Sequence, residues 1–160
     1  MKNKTIFFLF SWLFVTIAWG AGSEYDSKDF GAGAIVGTMV GASGHVLLDR
    51  EHFIQGAFAY NFARYPGLII SADYIWENIY EFSVNSFDWH TYFGGGGRFV
   101  AVQSGDDKGR TAFGARAPVG VSHILRDPHM ILFGEVAPVL NIAPTTDFSI
   151  DLGIGFRVLF

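Results

Sequence analysis

The sequence predicts an all-β protein, an eight-stranded antiparallel up-and-down β-barrel that crosses a membrane. Three observations predict this fold. Apolar residues alternate with small or polar ones along most of the chain, which is the period of a β-strand. The alternating segments are joined by short links, which suit antiparallel hairpins and not parallel crossovers. Only 16% of the 160 residues are charged, whereas 50% are hydrophobic and 20 residues are glycine.

The composition excludes several classes of protein. The 17 Phe, 6 Tyr and 4 Trp are far more than a disordered chain contains. Because cysteine is absent, a disulfide scaffold, a Cys-ligated zinc site and a thiol nucleophile are excluded. With 11 Lys and Arg against 15 Asp and Glu, we expect no nucleic-acid partner. The length fits one domain.

The first twenty residues have the three parts of a secretory signal peptide. Two lysines make the N-terminal end positively charged, and an apolar run covers 6–17. Ala-Trp-Gly at 18–20 then has small residues at the positions that a signal peptidase recognises. The alternative is a membrane anchor, but the apolar stretch 5–19 has only 15 residues, and a spanning helix needs about 20. We therefore predict a cleaved signal peptide over 1–20 and a single β-barrel domain over 21–160.

Eight segments of the remaining chain carry the alternating pattern. The last is the clearest, because its apolar and polar faces alternate over 14 residues. That is longer than the roughly 5–6 residues of an ordinary strand and enough for the roughly 9–11 of a tilted membrane strand. Turn-forming residues separate the segments, and 82–90 is the longest link in the middle of the chain. The predicted strands are 30–36, 42–48, 52–62, 68–80, 91–101, 110–125, 130–142 and 148–160.

The pattern fits two kinds of barrel that differ in which face points outward. A soluble barrel hides its apolar face, whereas a membrane barrel turns that face towards lipid. Long strands, low charge and a second face of small or ionic residues favour the membrane version, since a narrow eight-stranded interior is filled by its own side chains. We then expect an outer aromatic girdle. Its predicted members are Tyr74, Trp76, Tyr80, Trp89 and Tyr92.

Strand parity places seven charged side chains inside the barrel. Charges buried in a narrow lumen must be paired, and Arg is suited to bidentate bonding with a carboxylate. The set could form a gate or ion path, but an eight-stranded interior leaves little room for one. We therefore predict a plug that ties the strands together. The predicted network is Asp73, Glu77, Arg98, Arg116, Glu135, Asp151 and Arg157.

Two prolines and one glycine run fall within the predicted strands. Pro118 and Pro138 each remove a ladder donor, so we expect a bulge or a rim position at both. The run Gly94-Gly95-Gly96-Gly97 lacks the Lys-Ser/Thr and the helix that follow a phosphate loop. These glycines instead predict curvature or room for a large neighbour.

Neither a metal site nor a catalytic triad is evident. The histidines, at 45, 52, 90, 123 and 129, include no pair at helical i, i+4 spacing, so we predict no metal and no cofactor. A lipid hydrolase is the open enzymatic alternative, through Ser122-His123 or Ser43 and His45. Neighbouring strand residues point to opposite faces, and Ser43 and His45 lack an evident orienting carboxylate. We expect a non-enzymatic protein, with a secreted soluble barrel for an apolar ligand as the other alternative.

Several short patches lie in order along the chain, at 33–44, 72–76, 94–98, 114–120, 135–139 and 153–157. Their order resembles a group of small bacterial outer-membrane β-barrel proteins first noted in spirochaetes, more loosely akin to the OmpA and OmpX barrels. The resemblance implies an eight-stranded barrel, an outer-membrane location and no established reaction. An aromatic residue ending the last strand resembles the assembly signal of such barrels. We therefore expect a structural, membrane-integrity role, with outer-membrane lipids and the barrel-assembly machinery as partners, and a monomer with periplasmic termini.

Overall fold

The computed structural model describes residues 29–49, 51–84, 87–125 and 129–160, so the predicted signal peptide lies outside the described residues. All regular structure in these ranges is β-strand. No helix among them is long and apolar enough to cross a bilayer. The strands are β1 Phe30–Gly37, β2 Met39–Leu47, β3 His52–Asn61, β4 Gly67–Val84, β5 Phe87–Val102, β6 Thr111–Arg116, β7 Val119–Leu125, β8 Met130–Ala143 and β9 Asp147–Leu159.

The nine strands occupy eight positions in a closed antiparallel ring. Each of β1 to β5 pairs with its neighbour along the chain, β8 pairs with β9, and β1 pairs with β9 to close the ring. Both β6 and β7 lie between β5 and β8, one above the other. They therefore form one barrel strand, as the sequence predicts over 110–125. The prediction of an all-β, eight-stranded antiparallel barrel is confirmed.

The break between β6 and β7 corrects the expectation for the two prolines. Arg116 pairs with Val139 and Val119 with Val136, so the register continues across the break, and Pro118 and Pro138 lie at neither a bulge nor a rim. The Pro138 carbonyl accepts from Ala117 N at 3.0 Å, and the Pro118 carbonyl accepts from Gly94 N at 2.8 Å. Each proline lacks only its own backbone N–H donor. The ladder therefore loses single hydrogen bonds while the strand register stays the same.

The hairpin of β4 and β5 is longer than predicted. The stretch expected to be the longest link, 82–90, is almost wholly strand, because β4 runs to Val84 and β5 begins at Phe87. Polar pairs across the hairpin hold it: Ser83 Oγ donates to Asp88 Oδ1 at 2.6 Å, and His90 lies 3.4 Å from Glu81. Each of these pairs joins two different strands. The alternation of apolar and polar residues within one strand therefore does not predict them.

The outer surface of the ring is apolar and its interior is ionic. In β9, Phe148 is 64% exposed and Ile154 is 69% exposed, whereas Asp151 is 1% and Arg157 is 4% exposed. Exposed Leu, Ile, Val and Phe side chains continue around the other strands. The orientation predicted for the membrane version of the barrel is therefore the one observed.

The two rims of the barrel differ. We call the rim at the start of β1 and the end of β9 the first rim, and the other the second rim. Near the first rim, Trp76 stacks on Phe93 outside the ring, with ring centroids 5.4 Å apart. Tyr92, expected in this girdle, is buried in the lumen, because its partner Glu77 also faces inward. The side chain of Tyr80 lies outside the described residues.

Towards the second rim the lumen also contains a cluster of buried, mainly apolar side chains. Its main members are Ile35, Met39, Ala59, Tyr65, Ile69, Val100, Val102 and Ala112. A smaller cluster of Phe53, Ile75 and Tyr92 lies towards the first rim. The predicted ionic residues lie mainly between the two.

Glycine allows the close approach of β1 to β9 where the ring closes. A Cβ atom at Gly33 or Gly37 would overlap the carbonyl oxygen of Phe156 or Leu152 on the facing strand. At Gly95, which faces outward, a Cβ would meet nothing within 4 Å. The inward glycines of the seam therefore permit a curvature that larger side chains would oppose.

Candidate functional site

The candidate site is the ionic middle of the lumen. Of the seven charged residues predicted to face inward, all but Glu77 are buried, and Glu77 is half-buried near the first rim. Strand β4 supplies Asp73 and Glu77, and β9 supplies Asp151 and Arg157. The remaining three, Arg98, Arg116 and Glu135, come from β5, β6 and β8.

Arg116 is the centre of the network. Its Nη2 donates to Glu135 Oε1 at 2.6 Å, its Nε lies 3.4 Å from Asp73 Oδ1, and its Nη1 lies 4.0 Å from Asp151 Oδ2. The three carboxylates come from β4, β8 and β9. One guanidinium group therefore links four strands across the lumen.

Arg98 is a second centre of the network, and its hydrogen bonds extend towards the second rim. Its Nη1 donates to Asp151, and its Nη2 donates to Asn141 Oδ1 at 2.9 Å and Ser149 Oγ at 3.0 Å. Asn141 donates in turn to Asp147 at 2.7 Å. Asp151 lies between the two arginines and so connects the two parts of the network.

Sequence reasoning missed the neutral member that joins the remaining charges. Gln55 Nε2 donates to Glu135 at 2.9 Å and to Asp73 at 3.3 Å, and its Oε1 accepts from Arg157 at 2.9 Å. Tyr92 also donates to Glu135, at 3.2 Å. Gln55 shares the inward parity of Phe53 on β3. A search for polar as well as charged inward residues would have found it.

Arg157 and Glu77 stand apart from the ion pairs. Among the described residues, no carboxylate lies within 4.0 Å of the Arg157 guanidinium. Its Nε donates to Ser43 Oγ at 3.1 Å, and its Cζ lies 4.0 Å from the centre of the Phe133 ring. Glu77 instead accepts from Ser122 Oγ at 2.6 Å. The structure thus ties five charges together directly and Arg157 only through Gln55.

Little free space remains within the network. The gap bounded by residues such as Gln55, Asp73, Arg116 and Glu135 has a volume of about 10 Å³. A single water molecule needs roughly 10–15 Å³. The middle of the lumen is therefore filled by its own side chains.

The histidines lie in separate surroundings. His45 is inside the lumen, His52 lies 2.7 Å from Asp49, and the His123 ring bonds to the Asp88 carbonyl at 2.7 Å. Within the described ranges no three His, Asp or Glu side chains are grouped so that they could hold a metal ion. The expectation of no metal and no cofactor stays a prediction.

Neither serine–histidine pair forms a hydrogen bond among the described residues. Ser122 faces the lumen and donates to Glu77, whereas His123 packs against Phe87 and Trp89. Ser43 and His45 both face inward, but the Ser43 hydroxyl accepts from Arg157 and approaches the Gly56 carbonyl. No imidazole in this part of the chain is placed to take a proton from a serine.

Comparisons with known proteins support the architecture. A scan against protein-family models and a search of curated proteins found no match. Among solved structures, the N-terminal β-barrel domain of Pseudomonas aeruginosa OprF is similar, with a TM-score of 0.51 and 14% identity. The similarity covers 80% of this chain and 94% of the OprF domain. This chain therefore has a β-barrel fold like that of the OprF domain.

Loss of Arg98 should be costly, because it would leave Asp151 and Asn141 buried with fewer partners. We expect Arg98→Met to reduce the free energy of unfolding by about 3–5 kcal/mol. Arg110→Met is the matched control, since the Arg110 side chain is exposed and, among the described residues, pairs with the carboxylate of Asp107 alone; it should cost at most about 1 kcal/mol. Urea unfolding of the refolded barrel measures both. Equal stability of the two variants would contradict a structural network.

Proposed function

We propose that this protein is an outer-membrane β-barrel with a plugged polar interior and a structural, non-enzymatic role in the membrane. The observation that carries the proposal is the difference in polarity between the outer and inner faces of the ring. Large apolar side chains cover the outside, and ion pairs fill the inside. Soluble monomers rarely expose apolar patches larger than a few hundred Å². A secreted barrel that carries an apolar ligand would have the opposite arrangement.

The closed ring supports the same proposal. In the hydrocarbon of a bilayer every backbone donor and acceptor needs a partner within the protein, and closed barrels meet that need. The pairing of β1 with β9 leaves the ring without an open edge. The pairs lost at Pro118 and Pro138 are single donors within a ladder that otherwise continues.

Location and partners follow from the sequence as part of this proposal. The signal-peptide pattern over 1–20 directs export, and the patches resemble those of small outer-membrane barrels first noted in spirochaetes. The partners are then outer-membrane lipids and the barrel-assembly machinery. The apolar wall needs only acyl chains to cover it, so a monomer suffices.

A substitution on the outer wall tests whether that wall faces lipid or water. Ile154 is exposed near the middle of β9. We expect Ile154→Arg to cost about 2–4 kcal/mol if that position faces hydrocarbon, and at most about 0.5 kcal/mol if it faces water. Asp106→Arg, on the exposed 103–110 link, is the control. Membrane fractionation and heat-modifiable migration on a detergent gel show whether each variant assembles, and urea unfolding of the barrel in lipid vesicles measures the cost. Equal stability of Ile154→Arg and Asp106→Arg would refute the membrane barrel.

The plugged interior predicts a barrel that does not conduct. With about 10 Å³ free in the network, hydrated ions have no path. We expect no large, steady conductance when the purified protein is inserted into planar lipid bilayers, with insertion checked by protease protection. A stable open level of the kind seen in wide pores would show that the ionic middle is a gate and not a plug.

The non-enzymatic part of the proposal has its own measurement. A hydrolase would need a serine within reach of an imidazole, and the described serines bond elsewhere. Mass spectra of lipid A from cells with and without the protein should be the same. Loss of an acyl chain only in cells that make the protein would establish the hydrolase alternative.

A further inference from the structure

The lumen holds a second space, between the ionic middle and the first rim. It is a cavity of about 120 Å³. Aliphatic side chains from β2, β7, β8 and β9 line its mouth: Leu47, Ile124, Ile131 and Leu159. His45 and Arg157 lie deeper in its wall. The cavity therefore has an apolar mouth and a cationic group inside.

Arg157 is the charged group of this cavity that lacks a direct counterion. Its Nε and Nη2 donate to the neutral acceptors Ser43 and Gln55, and Nη1 makes no hydrogen bond to any described residue. The other two lumen arginines each contact a carboxylate directly. A buried guanidinium is stabilised by a directly paired charge, so Arg157 is the group of this cavity with which an anion would pair.

His45 adds a second polar group beside Arg157. His45 is 6% exposed, and its Nδ1, which lies against Gly31, has no hydrogen-bond partner among the described residues. Space for the ring comes from Gly31 on the adjacent strand, where a Cβ would overlap His45 Cε1. An imidazole nitrogen can share a carboxylate oxygen with a guanidinium.

We propose that this cavity binds a short-chain aliphatic carboxylate. The carboxylate pairs with Arg157, with His45 beside it, and the alkyl chain contacts the aliphatic mouth. A closed cavity of roughly 150 Å³ accommodates benzene, which has six heavy atoms. A volume of about 120 Å³ therefore suits a ligand the size of butanoate. The binding is expected to be weak, with a Kd of roughly 1 mM.

Glu77 also lines the cavity, and its carboxylate is the charge there that disfavours an anion. It lies on β4, which is on the other side of the eight-position ring from β9. Its Oε1 already accepts from Ser122 at 2.6 Å. If Glu77 were a ligand group as well, a zwitterion would bind more tightly than a simple carboxylate, and the experiment includes that case.

The inference does not depend on what covers the outer wall. The cavity lies inside the ring, so the purified protein can be tested from whichever cell fraction contains it. Failure to find the protein in membranes would refute the proposed function and leave the cavity to be tested separately.

The experiment is ligand-observed saturation-transfer NMR with sodium butanoate at neutral pH. Butylammonium has the same chain and the opposite charge, and decanoate tests whether a long lipid chain is the source of the carboxylate. We expect saturable binding of butanoate, at least about tenfold weaker binding of butylammonium, and no gain for decanoate. No saturable butanoate binding, equal binding of the cation, or displacement of butanoate by decanoate or 4-aminobutanoate at a lower concentration than by butanoate itself would overturn the proposal.

A matched pair of variants places the binding in this cavity. Ile124 is 43% exposed at the mouth, so substitutions there should leave folding intact. Ile124→Glu and Ile124→Lys remove the same aliphatic side chain and differ in charge, so butanoate should bind the Glu variant about fivefold more weakly than the Lys variant. Equal affinities for the two variants would show that any binding occurs elsewhere.

Discussion

The burial of Arg116 among three carboxylates is the constraint on which the rest of the barrel depends. Asp73, Glu135 and Asp151 reach it from three different strands. Their side chains meet only if each strand has the right register and the right face inward, because a slip of one residue would turn a charge outward. Apolar side chains on the outside are interchangeable by comparison. The ionic middle therefore constrains the register of the strands that carry these charges, in addition to the alternation that turns their apolar side chains outward.

The features that depend on single strands could be predicted from the sequence. Alternation identified the eight barrel strands and the two faces of β9. Long strands, low charge and small or ionic residues on one face indicated that this face, with Asp151, points inward. Features that depend on two strands could not be predicted in this way. The extension of the β4–β5 hairpin rests on pairs such as Ser83 with Asp88, and Pro118 needs no bulge because the carbonyl oxygens of both prolines remain acceptors.

The site was predicted in part for the same reason. The burial of a charged residue requires a partner, so inward charged residues indicate a network from the sequence alone. The neutral Gln55 nevertheless bonds to three members of that network, more than Glu77 does. Tyr92 was assigned to the outer surface because it is aromatic, although its parity with Glu77 across the hairpin places it inside. Residue type indicates what a side chain can do, whereas parity and pairing indicate where it does so.

The position of β9 in the ring has a consequence for assembly. This strand meets β1 at the seam and also brings Asp151 and Arg157 into the lumen. Before it docks, Arg98 lacks its carboxylate partner and Arg116 lacks one of three. Sealing the cylinder and giving Arg98 its carboxylate are thus a single event, and a barrel still open at this seam keeps that guanidinium without a counterion.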